Sequence, residues 1–165
     1  MKLLITYHSD TGNTKKLAEA IYESIDDSKT MLPFDKVDDT SRYDVIFIGF
    51  PIHQFGPCQS AKDFINEKVN EKKVTLFATH AMPLNAPRYK SIEESCRSAV
   101  KDNDLVGLYT CQGELSEEIA QFLSNSEDKK LKAFGKKRKE TIGHPNSEEI
   151  SAAAEFAKNI LNQIR

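Results

Sequence analysis

At 165 residues, with 39% hydrophobic and 29% charged side chains, the chain is sized for one globular domain and leaves little room for a second. Its net charge of −2 argues against a nucleic-acid partner, and the lack of any run of about 18 apolar residues argues against a membrane span. The three cysteines, Cys58, Cys96 and Cys111, are scattered and odd in number, with no C-x-x-C pair and no zinc spacing, which points to a reduced, cytoplasmic protein without structural metal.

The opening MKLLITYHSD carries one lysine and a short apolar run with no cleavage-site pattern, so KLLITY (2–7) reads as a first strand and not as a leader. Residues 14–26 follow with a helical stripe of Leu17, Ile21 and Ile25 beside Ala18 and Tyr22. KTML (29–32), ended by Pro33, is a weaker strand, and the polar connection from there to residue 44 is too short for a full helix. DVIFIGF (44–50) is a strand, then Ala61, Phe64, Ile65 and Val69 mark a helix, and KVTLFAT (73–79) is the next strand. Ser91-Ile92-Glu93-Glu94 reads as a capping box opening a helix with Ile92, Cys96, Ala99 and Val100 on one side. DLVGLYT (104–110) is the last strand, Ser116 opens a helix with Ile119, Phe122 and Leu123, and Asn146 caps a final helix buried through Ile150, Ala153, Ala154, Ala157, Ile160, Leu161 and Ile164. The strands are continuous rather than alternating, as a parallel sheet covered on both faces requires, and their alternation with helices predicts a three-layer α/β domain.

In such sheets ligands bind beyond the carboxyl ends of the strands. There, after the first strand, stands SDTGNT, Ser9 to Thr14. Two readings fit these letters. One is a helix cap with Thr11 or Asn13 as the capping residue. The other is an anion cradle, in which backbone N–H groups and the helix dipole meet a phosphate, Gly12 permits the tight turn, and Ser9, Thr11 and Thr14 add hydroxyls. Rival loops fail on their letters: no two glycines are spaced for G-x-G-x-x-G, no G-K-[ST] occurs, and no acidic cluster or Cys/Arg pair sits after the strands where a response regulator or small tyrosine phosphatase needs one.

Ser9-Asp10-Thr11-Gly12-Asn13-Thr14 is similar to the FMN phosphate loop [TS]-x-T-G-x-T of flavodoxins, and GFPIHQFGP (49–57) and the ending IGHPNSEEISAAAEFAKNIL resemble other segments of that family. The resemblance spans nearly the whole chain. It implies a flavodoxin-like three-layer sandwich with a five-stranded parallel sheet in the order 2-1-3-4-5, holding FMN. Carried over by position, it implies that Ser9, Asp10, Thr11, Gly12, Asn13 and Thr14 hold the phosphate. Pro51, Ile52, His53, Gln54, Phe55 and Gly56 would line the isoalloxazine, and His80, Ala81, Met82 and Tyr89 would close a third loop. The chain departs from the family in having no tryptophan, no Gly-Asp in the third loop, and nearly balanced charge.

The resemblance implies an electron carrier taking electrons from a reductase and passing them to a partner enzyme. A small FMN-dependent NAD(P)H oxidoreductase of quinone or azo reductase type is the alternative, and a module that has lost FMN is a third. His53 and His80 read as ring-packing or backbone-bonded groups or as proton relays, with no carboxylate legible beside either. Cys58 reads as a buried, inert thiol. Asp10, Asp38, Asp39 and Asp44 are expected to gather near the cofactor edge and steer a basic partner. The basic run Lys136 to Lys139 reads as a solvated helix end or as a dock for an acidic partner.

Overall fold

The apolar runs 2–7, 44–50 and 73–79 are buried between helices on both sides of the sheet, whereas 104–110, at the sheet edge, is only partly buried. The computed structural model describes residues Met1 to Arg165. Its five main strands are β1 (Lys2–Tyr7), β2 (Ser28–Pro33), β3 (Val45–His53), β4 (Lys73–His80) and β5 (Asp104–Gln112). They pair in parallel in the order β2-β1-β3-β4-β5, the order expected. A two-residue strand, Gly56–Pro57, which the sequence reading lacks, turns back antiparallel on the end of β3, pairing Ile52 with Pro57 and His53 with Gly56.

The helices are α1 (Asn13–Ser24), α2 (Gln59–Lys68), α3 (Tyr89–Ala99), α4 (Glu117–Ser124), α5 (Lys129–Lys136) and α6 (Ser147–Ile164). Alternation along β1 sends Leu3 and Ile5 to one face, against Leu17, Ala18 and Ile21 of α1 and Ala157, Ile160 and Leu161 of α6. Leu4 goes to the other face, with Ala61, Phe64 and Ile65 of α2 and Ile92 and Cys96 of α3. The β2–β3 connection makes only a short 3₁₀ turn, Phe34–Lys36, and Phe34 stacks on Phe64 with ring centroids 4.4 Å apart, so an aromatic pair covers the sheet where a helix is lacking. No helix is long and apolar enough to cross a membrane.

Two helix starts differ from the sequence reading. α3 begins at Tyr89 and not at Ser91, because consecutive turns from Pro83 through Tyr89 already lead the chain into the helix; the expected Ser91 capping box does not form. α5 is foreshadowed only by the basic run at Lys136 to Lys139, read as a helix end, since its apolar stripe is no more than Leu131 and Phe134. It forms because Asp128 Oδ1 accepts from the N–H groups of Lys130 and Leu131, and because Gly135 lets its backbone lie against Ala120 and Ser124 of α4, where a Cβ would come within 2.7 Å. At α6 the expected cap is present as a full capping box: Asn146 Oδ1 accepts from Glu149 N at 2.9 Å and Glu149 Oε2 accepts from Asn146 N at 2.7 Å.

Candidate functional site

β2 lies on one side of β1 and β3 on the other, so the crossovers leave in opposite directions and open a crevice at the carboxyl ends of β1 and β3. Three loops meet that edge, following β1, β3 and β4.

The first loop enters α1 with Gly12 at the cap position, in a left-handed conformation (φ 96°), and no side chain caps the helix. Neither Thr11 nor Asn13 therefore plays the capping role. Ser9 Oγ accepts from the N–H of Gly12 at 3.1 Å and of Lys15 at 3.3 Å, which folds the loop onto itself. Asn13 Nδ2 reaches instead to the Glu114 carbonyl at 3.0 Å, and the buried Thr14 hydroxyl shares a 2.9 Å hydrogen bond with Thr79 of β4. Thr11 is left exposed with its hydroxyl unengaged, while Lys15 and Lys16 face solvent. The amides of Thr11, Asn13 and Thr14 take no part in the turn and capping bonds that close the loop. Free amides at a helix N-terminus, a free hydroxyl and open space beside Gly12, where a Cβ would meet nothing within 4 Å, form a neutral donor set of the kind a phosphate group fits.

Asp10, in the same loop, is engaged elsewhere. His8 Nε2 lies 2.8 Å from Asp10 Oδ1 and His53 Nε2 lies 2.9 Å from Asp10 Oδ2, so one carboxylate clasps the first loop to the second. Partial burial pushes the Asp10 pKa up, but the hydrogen bonds and charges of His8 and His53 outweigh it and hold the group below its ordinary 3.8. This pairing corrects the reading that no carboxylate stands beside His53; the partner is 43 positions away in sequence.

The second loop is a two-residue hairpin turn. Gln54 (φ 51°) and Phe55 (φ 65°) both take left-handed backbone, so the strained geometry falls on them and not on Gly56. Gly56 is buried against α3 instead, where a Cβ would lie 2.6 Å from Ser95 Oγ. His53 and Gln54 are exposed, and Pro51, Ile52 and Phe55 are half-buried. From the third loop, Arg88 lays its guanidinium over the Phe55 ring at 4.1 Å. No sequence spacing announces this contact, which joins the second and third loops.

In the third loop, Met82 packs with Ile52 and Phe55 against the α2–α3 side of the core. The Ala81 carbonyl accepts from Gln112 Nε2 at 3.1 Å, and Tyr89 shares a hydroxyl hydrogen bond with Thr110. His80 ends β4 only 5% exposed, its ring 5.5 Å from that of Tyr89, with neither ring nitrogen hydrogen-bonded. Burial lowers its pKa below the ordinary 6.5, an effect the nearby Met82 backbone offsets only in part, so the imidazole is neutral at pH 7. The loops thus place all sixteen candidate residues along one edge, although Thr14 and Asn13 direct their side chains into structural bonds.

The acidic cluster does not assemble. Asp44 lies at the amino end of β3, where it accepts from Lys2 N at 2.7 Å, and Asp38 and Asp39 lie where the β2–β3 connection meets the end of α2; only Asp10 is in the loop cluster at the carboxyl ends of the strands. The cysteines are all free and buried, Cys58 included, and burial raises the Cys58 pKa. A surface depression of about 420 Å³ beside Met1, Tyr43, Asp44 and Lys72 is likewise at the amino ends of the strands.

The flavodoxin domain family matches residues 4–158 of this chain. The flavodoxin-like domain-containing protein BilS of Clostridioides difficile (strain CD3) is 33% identical over 171 residues, which cover 98% of this chain and 97% of that protein. Oxidised flavodoxin 2 from Bacillus cereus superposes with a TM-score of 0.59 at 22% identity, covering 99% of each chain. The azoreductase AzrA superposes with a TM-score of 0.58 at 14% identity, covering 96% of this chain and 100% of that one. At such identities the two solved structures show a shared fold, found in a flavodoxin and in an azoreductase alike.

Proposed function

The chain belongs to the flavodoxin domain family, and from that premise we propose that it binds FMN at the carboxyl ends of β1, β3 and β4. In this reading it carries electrons, in the cytoplasm, from a reductase to a partner redox enzyme. The observation that carries the reading is the first loop: unbonded amides at the N-terminus of α1, a left-handed Gly12 and an exposed Thr11 hydroxyl suit a terminal phosphate.

FMN supplies the one- and two-electron chemistry when bound. The chain's own residues bind and orient it. Ser9 holds the loop closed by accepting from Gly12 and Lys15, which keeps the free amides aimed outward. His8 and His53 engage Asp10, so the one carboxylate in the loop is bound to cationic-capable rings and not left to repel a phosphate. Phe55 under Arg88, with Met82 and Ile52 beside it, offers an apolar wall for a flat ring in place of the missing tryptophan.

The test is a titration of the full-length protein with FMN followed by flavin fluorescence and NAD(P)H consumption. One FMN per chain, with NAD(P)H consumed only when a reductase is added, is expected. Steady NAD(P)H consumption by the protein alone with a quinone or azo acceptor would replace the carrier with a reductase. Failure to take up FMN would overturn both.

A further inference from the structure

Between Lys129 and Lys139 stand seven cations and no acid; since the chain totals −2, the rest of it carries −9. Glu117, Glu118, Glu127, Asp128 and Glu140 stand close to it in sequence, so residues 115–140 together carry +2, but direct ion pairing of the seven cations is sparse. Lys15, Lys36, Lys73 and Lys90 each pair with a carboxylate elsewhere, but of these seven only Arg138 does, with Glu114. Lys129, Lys130, Lys132, Lys136 and Lys137 are all exposed, and helical spacing turns Lys130 furthest from Gly135, the point at which α5 touches α4. The α4–α5 hairpin also holds three of the six exposed large hydrophobic residues of the molecule, Ile119, Phe122 and Leu131, with Phe122 75% exposed. Ile119 and Phe122 are three apart on α4 and share a face.

The hairpin is stitched to the candidate FMN site at its base. Asn13 of the first loop donates to the Glu114 carbonyl, and the Glu114 side chain holds Arg138 at 3.0 Å. Gly113 leaves room for Asn13, whose Nδ2 would be 2.8 Å from a Cβ there. A protein seated on this hairpin therefore sits beside the phosphate loop.

We propose that the α4–α5 hairpin is the docking surface for the redox partner, and that the partner presents an acidic face with an apolar centre. The proposal rests on the electron-carrier reading. Unpaired lysines beside an exposed phenylalanine match the charge and the buried centre of such a contact. The surrounding −9 favours a local acidic patch on a protein over a uniform polyanion such as DNA or an anionic bilayer, whose charge extends past the hairpin and is repelled.

The test titrates the full chain, with and without FMN, with an acidic plant-type ferredoxin, and reads amide NMR shifts and affinity at low and high salt. Basic cytochrome c, duplex DNA and phosphatidylserine vesicles are run beside it. The result expected is shifts confined to 115–140 and binding that weakens with salt. Lys130→Glu/Lys132→Glu/Lys136→Glu should weaken it about tenfold or more, and Phe122→Ser should weaken it with the salt dependence unchanged. These residues are exposed, so FMN uptake and thermal stability of both variants should match the parent. No salt-dependent ferredoxin binding, binding unaffected by the charge reversal, or tighter binding of DNA, vesicles or cytochrome c would each overturn the proposal. Loss of FMN uptake with ferredoxin binding intact would instead overturn the carrier reading and leave the surface standing.

Discussion

Two residues at the carboxyl edge of the sheet carry costs that packing alone does not explain. Gly12 is left-handed in open space, so Gly12→Ala meets no clash and isolates the backbone term. The variant should lose about 1–2 kcal/mol of stability in urea unfolding. It should also lose about tenfold or more in FMN affinity by fluorescence titration, because the free amides lose their alignment. Unchanged FMN affinity would place the phosphate elsewhere. His80 is buried with both ring nitrogens unbonded, a penalty without visible structural return. Its folded pKa lies below the ordinary 6.5, so the unfolded chain takes up the proton first. The penalty from protonation is absent well above pH 6.5, and stability falls as pH drops through 6.5 towards the folded value. His80→Leu should therefore be more stable than the parent by about 1 kcal/mol at pH 8. That margin should widen between pH 6.5 and 5. A gain in stability coupled to weaker FMN binding would mark His80 as kept for the ligand; a loss of stability at pH 8 would show that its nitrogens find partners in solution.

At the scale of elements, the loops differ in how they reach their shape. The hairpin after β3 takes a turn with φ > 0 at both central positions, for which Asn-Gly is the favoured pair, yet it carries Gln54-Phe55. Phe55 has a contact to justify its place, the Arg88 guanidinium at 4.1 Å. Gln54 is exposed and has none. Gln54→Gly should relieve about 1–2 kcal/mol of backbone strain while adding about 0.4–1 kcal/mol of unfolded-chain entropy. A net gain of about 0.5–1 kcal/mol in thermal or urea unfolding is expected, and a net loss would mean the turn is not of this type in solution. The helices divide in the same way. α1, α2, α3 and α6 were visible in the sequence because their apolar stripes are what the sheet buries. α5 was not, because its only buried residue is a glycine and its start depends on one aspartate cap. The short Gly56–Pro57 strand was equally hidden, since two residues make no pattern.

At the scale of the whole molecule, stability is unevenly distributed. β1, β3 and β4 are central and buried on both faces, whereas α4 and α5 bury little beyond Ala120 and Gly135. Native-state hydrogen exchange should find amides of α4 and α5 opening on the order of 100-fold or more faster than those of β1 and β3. Uniform protection would show the hairpin to be part of the same cooperative unit. The rigid sheet holds the three loops at its carboxyl edge in register. The sequence by itself determined the strand and helix order, and it contained the hexapeptide from which the family could be named. These are local properties: continuous apolar runs, helical stripes and consecutive letters carry them. Only the tertiary structure decided that Asp10 meets His53, that Arg88 covers Phe55, that Thr14 bonds to Thr79 and that Asp44 lies at the far end of the sheet from Asp10. Those pairings join residues far apart along the chain, and what brings them together is the burial of both sheet faces, which no single stretch of sequence contains.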